Sequence, residues 1–371
     1  MALPAAPLLL PRRASLAAVR HLGPNWYAPV MGTAIVANAG ATLPVPLPGA
    51  RTACAAVWTL SLLMLLALLA ARAAHWARHR DQARAHLLDP AVAPFYGCPA
   101  MALVAVGGGA LIVGRDWIGP DAAVALGTVL FAAGTAAGLV VAVAIPYLMV
   151  VRHEAGAASP VWLLPVVAPM VSAAFGPLLV PHLPEGQWRP TLLAGCYGMF
   201  GVSLLATLVV LPLVFGRLVT GGPLPVALTP TLFLVLGPLG QSATAAGTFA
   251  DAAPAVPYAA ALAVLYGVPV MGFALMWLVL AGAMVVRARR RGMGFTMTWW
   301  AFTFPVGTCV TGAGGLAQHT GLTALRWLAV ALYALLVAAW VTAAARTLRG
   351  LVGGALLAAP PAPPPARART T

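Results

Sequence analysis

The sequence predicts an all-α integral membrane protein, and three observations support that prediction. Hydrophobic residues make up 61% of the 371 residues and charged residues only 8%, whereas about a quarter of an average soluble domain is charged. The mean hydropathy of +0.93 leaves little polar surface for contact with water. The apolar residues also form long runs, and a helix of about 20 such residues crosses the hydrocarbon core of a bilayer.

Ten apolar runs are long enough to be transmembrane spans, and they are numbered one to ten in chain order. The spans are 25–44, 51–76, 94–113, 121–149, 161–182, 189–216, 225–249, 255–286, 296–317 and 322–347. Most connections are short and rich in proline and glycine, which favours antiparallel hairpins. We predict a cytoplasmic leader over residues 1–23, a transport domain over 24–349, and a disordered, proline-rich cytoplasmic tail over 350–371.

The arginines predict the orientation in the membrane. All 21 basic residues are arginines, and seventeen of them fall on one side when the spans are taken in order. The other side has Arg51, Arg115, Arg189 and Arg326. Because cytoplasmic loops are enriched in Lys and Arg, both termini are predicted to be cytoplasmic. We also predict that the protein lies in the plasma membrane. The net charge of +14 is thus spread over loops, and we predict no nucleic-acid partner.

Helix breakers alternate along the chain. Each odd-numbered span has an interior proline, and these are Pro29, Pro99, Pro165, Pro238 and Pro305. The even-numbered spans lack one near the centre, with Pro269 as the exception. Proline frees a carbonyl, which in a membrane needs a protein or water partner. We therefore predict five hairpins with an inner ring of odd spans around a central pore. The alternative is that proline and glycine are simply frequent in membrane helices.

Side chains with obvious chemistry are absent from the predicted span centres. All seven acids lie outside the spans or at their edges, no histidine lies near a centre, and the four cysteines are not at metal-ligand spacing. This pattern argues against a cation channel, a carboxylate-based proton-coupled carrier and an enzyme, and we predict no metal and no cofactor.

Uncharged polar residues are the remaining candidates for a pore lining. With the five prolines, the candidates are Thr33, Ser172, Gln241, Ser242 and Thr308. Hydroxyl and amide groups can donate hydrogen bonds to an anion without holding it tightly, as conduction requires. Hydrogen bonding between helices is an equally good interpretation of each residue taken singly.

Four segments resemble motifs of the tellurite-resistance/dicarboxylate transporter family. They are NWYAPVMGTAI at 25–35, PVWLLPVV at 160–167, GPLGQS at 237–242 and WWAFTFPVGT at 299–308. In order, they are similar to the family's motifs for helices one, five, seven and nine. The family includes slow-type anion channels, malate permeases and sulfite efflux pumps, and the resemblance covers roughly residues 22–348.

The resemblance implies a function and a gate. It implies a homotrimer with one pore per subunit, ringed by five helical hairpins, in which Phe304 plugs the pore. Phe302 is two residues away, about 200° around a helix, and should point elsewhere; an ordinary packing role is the alternative for Phe304. The expected function is transport of small anions. C4-dicarboxylates such as malate are the first candidate substrates, and sulfite or tellurite-type oxyanions are the second. Transport of non-anionic substrates is a third, less favoured alternative.

A positive cytoplasmic rim is expected to favour anions. Its members would be Arg72, Arg78, Arg287 and Arg290. These arginines would then have two roles, since they also determine the orientation of the protein in the membrane.

Overall fold

The structure, a computed structural model, describes residues 22–45, 48–152, 156–354 and 356. Most of the predicted leader and tail lies outside these residues, so both domain assignments stay predictions. The described residues form α-helices, short 3-10 helices and one π-helical turn. The α-helices are α1 (Tyr27–Ala41), α2 (Ala50–Arg78), α3 (Arg80–Leu88), α4 (Gly97–Gly109), α5 (Arg115–Ile118), α6 (Pro120–Arg152), α7 (Leu163–Phe175), α8 (Trp188–Gly221), α9 (Leu236–Ala252), α10 (Ala259–Arg290), α11 (Phe304–Thr320) and α12 (Thr323–Val352).

Long apolar helices confirm the prediction of an all-helical, multi-pass membrane protein. Within the described part of the chain, eight helical segments are long and apolar enough to cross a bilayer. They are Ala50–Arg78, Ala93–Ile118, Pro120–Arg152, Pro160–His182, Trp188–Gly221, Val226–Ala252, Ala259–Arg290 and Thr323–Val352. The helices of predicted spans one and nine, α1 and α11, are not among them.

Burial divides the long helices into two groups. The most apolar stretch is 94% buried in Pro160–His182, 78% in Ala93–Ile118 and 72% in Val226–Ala252. Helix α1 belongs with these segments, because thirteen of its fifteen residues are buried, and most of α11 is buried too. The other five apolar stretches are only 22–28% buried. We call α1, α4, α7, α9 and α11 the inner helices, and α2, α6, α8, α10 and α12 the outer helices.

The inner helices contact one another in cyclic order. Helix α1 packs on α4, α4 on α7, α7 on α9, α9 on α11, and α11 on α1, while each inner helix also packs on the outer helix that follows it along the chain. Glycines permit close approach at these contacts. At Gly97 an added Cβ would collide with the Leu164 carbonyl of α7, and at Gly240 it would lie 2.5 Å from the Cys309 nitrogen of α11.

Each inner helix begins as a 3-10 helix. The 3-10 segments are Pro24–Trp26, Ala93–Tyr96, Pro160–Trp162, Val226–Val235 and Met297–Phe302. The predicted prolines follow directly, at the third residue of α1, α4, α7 and α9 and at the second residue of α11. These prolines therefore do not interrupt a continuous α-helix. Proline fits the first turn of an α-helix, so the chain changes from one helix type to another at this point.

Candidate functional site

Two cavities lie between the inner helices, near opposite ends of those helices. The N-side cavity, near their N-terminal ends, has a volume of about 270 Å³. Its lining is mainly apolar, with Asn25, Thr231 and Thr298 among the polar members. The C-side cavity, near their C-terminal ends, has a volume of about 170 Å³. Its lining is much more polar and includes Asn38, Thr42, Gln241, Thr244, Thr248, Asp251, Thr311 and Gln318.

An apolar constriction adjoins the N-side cavity. It encloses about 20 Å³, close to the space of a single water molecule. Its lining residues are Met31, Met101, Leu163, Leu164, Val167, Leu234, Gly237, Phe304 and Pro305. Phe304 borders both this space and the N-side cavity, and its side chain is only 3% exposed. The C-side lining residues lie about seven residues farther along α1, α7 and α11, a distance of roughly 10 Å.

The register of the inner prolines explains why Phe304 is unusual. The residue before the proline is equivalent in all five inner helices, and these residues are Ala28, Cys98, Leu164, Gly237 and Phe304. All five border the N-side cavity or the constriction. Four of them are small or aliphatic, which leaves the space between the helices to the one aromatic ring. Aligning the five proline segments in the sequence would have identified the apolar residues of this layer.

Phe302 faces a different environment from Phe304. Its ring packs edge-on against Phe233, with centroids 4.8 Å apart, and against Trp299 at 5.8 Å. Phe302 lines neither the N-side cavity nor the constriction. The two phenylalanines thus have different neighbours, with Phe302 at the last residue of a 3-10 helix and Phe304 at the first residue of α11.

Replacing Phe302 by alanine is expected to lower stability more than it changes transport. The substitution removes two edge-to-face aromatic contacts and part of the packing between the 3-10 helices before α9 and α11. Phe→Ala changes at well-packed positions cost about 3 kcal/mol of unfolding free energy, and somewhat less is expected here because Phe302 is only partly buried. Thermal unfolding in detergent would measure the loss, and an unchanged melting temperature would contradict it.

Two hydroxyls from the predicted lining lie at contacts with outer helices. Thr33 donates to the Pro29 carbonyl at 2.7 Å and accepts a hydrogen bond from the Trp340 indole of α12 at 3.0 Å. Ser172 accepts from the Thr135 hydroxyl of α6 at 2.9 Å. Neither residue lines the two cavities, so for this pair the interhelical interpretation fits the contacts better.

Two further hydroxyls also serve their own helices. Ser242 donates to the Leu239 carbonyl at 2.9 Å, and Thr308 to the Pro305 carbonyl at 2.7 Å. This bonding back to the preceding turn is common for Ser and Thr in helices. It uses the single hydroxyl hydrogen, so our expectation that these groups donate to an anion does not match their geometry.

The remaining lining candidates divide clearly. Pro305 borders the N-side cavity and the constriction, and Gln241 lines the C-side cavity. The other four prolines border neither cavity nor the constriction, and these are Pro29, Pro99, Pro165 and Pro238. Residue type alone identified candidates for the pore lining, but it did not predict which of them line a cavity.

The predicted basic rim is only partly a surface feature. Arg72 is 8% exposed, donates to the Leu22 carbonyl at 2.7 Å and lies over the Tyr96 ring. It therefore anchors the chain before α1, and its assignment to the rim is wrong because the guanidinium is buried and paired. The other three rim residues are exposed near the C-terminal ends of α2 and α10, and these are Arg78, Arg287 and Arg290.

A helical membrane protein with two cavities and a narrow apolar constriction between its buried helices belongs to the class of channels and transporters. The family model described as voltage-dependent anion channel matches residues 21–348. The chain belongs to this family, which confirms the resemblance found in the four motifs.

The curated relatives are transporters of low identity and nearly full coverage. An uncharacterized transporter of Methanocaldococcus jannaschii is 25% identical over 340 residues, covering 91% of this chain and 95% of that protein. A second transporter of the same organism is 24% identical over 342 residues, covering 91% and 97%. A sulfite efflux pump of Trichophyton rubrum is 27% identical over 322 residues, covering 79% and 81%. Family and relatives together indicate anion transport.

Proposed function

We propose that the protein conducts small anions between the two cavities through the constriction, and that Phe304 is the gate. The main observation behind this proposal is that the buried ring of Phe304 borders both the N-side cavity and an apolar space of about 20 Å³. An ion in such a passage loses its hydration shell without replacement, which is costly. Conduction then requires the ring to move, and the residues before the other four prolines, which are smaller than phenylalanine, leave space around it.

We infer that α1 and α11 also cross the bilayer, which gives ten spans in five hairpins with the inner helices as a ring. Hydropathy alone does not select these two helices, but protein rather than lipid surrounds them. A helix covered by protein can keep polar residues such as Asn38, which is fully buried. The arginine bias supports cytoplasmic termini, with the N-side cavity on the cytoplasmic side of the plasma membrane. The exposed Arg78, Arg287 and Arg290 would raise the anion concentration there.

For the substrate we propose a small oxyanion, with sulfite as the first candidate and a C4-dicarboxylate as the second. Sulfite is favoured because the fungal relatives are sulfite efflux pumps. The dicarboxylate, our first expectation from the motifs, stays a prediction that the family resemblance supports.

A flux assay in liposomes tests the proposed function. Purified full-length protein is reconstituted, and uptake of radiolabelled sulfite, malate, chloride and a neutral sugar is measured against protein-free vesicles. We expect saturable sulfite flux that chloride or malate reduces by competition, and no sugar flux. Absence of anion-dependent flux would overturn the proposal, and malate flux exceeding sulfite flux would restore the dicarboxylate as first candidate.

We further propose a homotrimer with one pathway per subunit, as the family resemblance implies. Native mass spectrometry of detergent-purified protein should give three times the chain mass of 37.8 kDa. A monomer or dimer as the main species would contradict the trimer.

A further inference from the structure

The C-side cavity is lined by a buried amide whose oxygen has no hydrogen-bond partner. Gln241 of α9 lines this cavity, is 1% exposed, and its side-chain oxygen has no partner. An unpaired buried polar group is costly, so native proteins normally satisfy it. A carboxamide offers one acceptor and two N–H donors. A ligand in the cavity that offers both an acceptor and a donor would therefore complete it.

The hydroxyls around Gln241 present lone pairs to the cavity rather than hydrogens. Thr244 is hydrogen-bonded to the Gly240 carbonyl at 3.0 Å and to the Thr311 hydroxyl at 2.7 Å. Thr311 donates to the Thr308 carbonyl at 3.0 Å. Each hydroxyl has one hydrogen, and backbone carbonyls or the neighbouring hydroxyl take it. These groups can therefore accept a hydrogen bond from a ligand more readily than they can donate one.

Two more lining residues strengthen this preference. Thr248 donates to the Ala174 carbonyl at 3.1 Å, so its hydrogen is also used. Asn38 donates to the Ala105 carbonyl at 2.9 Å, while its own side-chain oxygen has no partner. The cavity thus has several free acceptor positions. An acceptor-only anion such as chloride leaves them unsatisfied, whereas an anion with an O–H group can donate to them.

The charge at the cavity disfavours a second negative charge on the ligand. Asp251 of α9 lines the cavity and lies 3.0 Å from His319 of α11. Asp251 is the one charged residue among the described lining residues. Arg51 donates to the carbonyl of the lining residue Ile112 at 3.0 Å, and the carboxylate of Asp116 compensates its charge. A carboxylate repels a dianion about twice as strongly as a monoanion at equal distance.

We propose that Gln241 selects singly protonated oxyanions, an inference that rests on the proposed function of anion transport. Its carboxamide binds the O=X–OH edge of hydrogensulfite, or of a half-protonated dicarboxylate, through two parallel hydrogen bonds. The amide N–H donates to the X=O oxygen, and the O–H donates to the amide oxygen. A cavity of about 170 Å³ has space for such an ion with some of its water. No bond is broken and no proton is transferred in this step.

The test compares sulfite and chloride flux over a pH series in the same reconstituted vesicles. Total sulfite is held constant while pH is raised through the range in which hydrogensulfite loses its proton. The wild-type sulfite rate is expected to fall in proportion to the hydrogensulfite that remains. Chloride flux, measured at each pH, reports any pH dependence of the transport pathway itself and is used to correct for it.

Variants of Gln241 separate recognition from folding. Gln241→Met keeps the side-chain length and removes both hydrogen-bonding groups. We expect about tenfold slower sulfite flux and a clearly smaller loss of chloride flux, because chloride loses one donor and sulfite loses two hydrogen bonds. Gln241→Glu keeps the shape but becomes anionic as pH rises, so its sulfite flux should fall more steeply with pH than that of the wild type. The exposed Gln187 gives a matched control, and Gln187→Met should change neither rate.

The outcomes distinguish this inference from the proposed function. Sulfite flux that follows total sulfite or the dianion, or an equal loss of sulfite and chloride flux in Gln241→Met, would overturn the role of Gln241 and leave anion transport standing. If Gln241→Met fails to fold, the pH series of the wild type and of Gln241→Glu still tests whether Gln241 selects singly protonated anions. No flux of any anion through the wild-type protein would remove both proposals.

Discussion

Replacing Phe304 by alanine is expected to raise anion flux at least about tenfold over the wild type. The substitution removes a ring that is 3% exposed and that borders both the constriction and the N-side cavity. The enlarged passage would admit water, so an anion could keep part of its hydration shell. A barrier lower by about 1.4 kcal/mol is enough for a tenfold effect, and the cost of desolvating an anion in an apolar constriction exceeds that by several fold. Initial rates of sulfite and chloride uptake in liposomes would measure the change.

Two controls make the gate assignment specific. Phe302→Ala removes the same number of atoms two residues away, where the ring packs on Phe233 and Trp299, and it should leave flux near the wild-type rate. Phe304→Leu keeps an apolar side chain of intermediate size and should give an intermediate rate. Equal flux from Phe304→Ala and wild type would remove the gate assignment, and equal gains from both alanine variants would indicate a loosened fold instead.

The membrane class and the inner helices were predictable because they depend on composition and on helix breakers. An outer helix in contact with lipid must be apolar on its whole exposed surface, and the long hydropathic runs reflect that constraint. The prolines coincide with the five buried helices, where protein can supply partners for the backbone groups that proline leaves unpaired. Hydropathy was less informative for α1, since a helix enclosed by protein can hold Asn38, whose amide nitrogen donates to the Ala105 carbonyl of α4.

The sequence did not predict which polar residues line a cavity and which contact a neighbouring helix. Helix α1 is buried on nearly all sides, so no polar stripe distinguishes a cavity face from a contact face. Thr33 and Gln241 are both buried polar residues, yet Thr33 contacts Trp340 of an outer helix and Gln241 borders a cavity. Arg72 is a similar case, because a topology-determining arginine can be exposed or can anchor a neighbouring segment, as this one does through Leu22.

Replacing Gly240 by alanine is expected to be the most damaging single-methyl change at the contact between α9 and α11. An added Cβ would lie 2.5 Å from the Cys309 nitrogen and from the Thr308 carbonyl carbon, and these are backbone atoms that no rotamer change can move. The two helices would have to separate along their whole contact. Overpacking of this kind costs about 3 kcal/mol of unfolding free energy, so the melting temperature in detergent should fall clearly.

Gly272 provides the matched control for this substitution. It lies in the outer helix α10, and an added Cβ there meets no atom within 4 Å. Alanine at an unencumbered helix position is more favourable than glycine by about 0.5–1 kcal/mol, so Gly272→Ala should keep or raise the melting temperature. Equal melting temperatures for the two variants would mean that α9 and α11 approach less closely than their backbones indicate. A loss confined to Gly240→Ala would instead show that the close backbone contact between α9 and α11, one turn beyond Phe304, stabilises the fold.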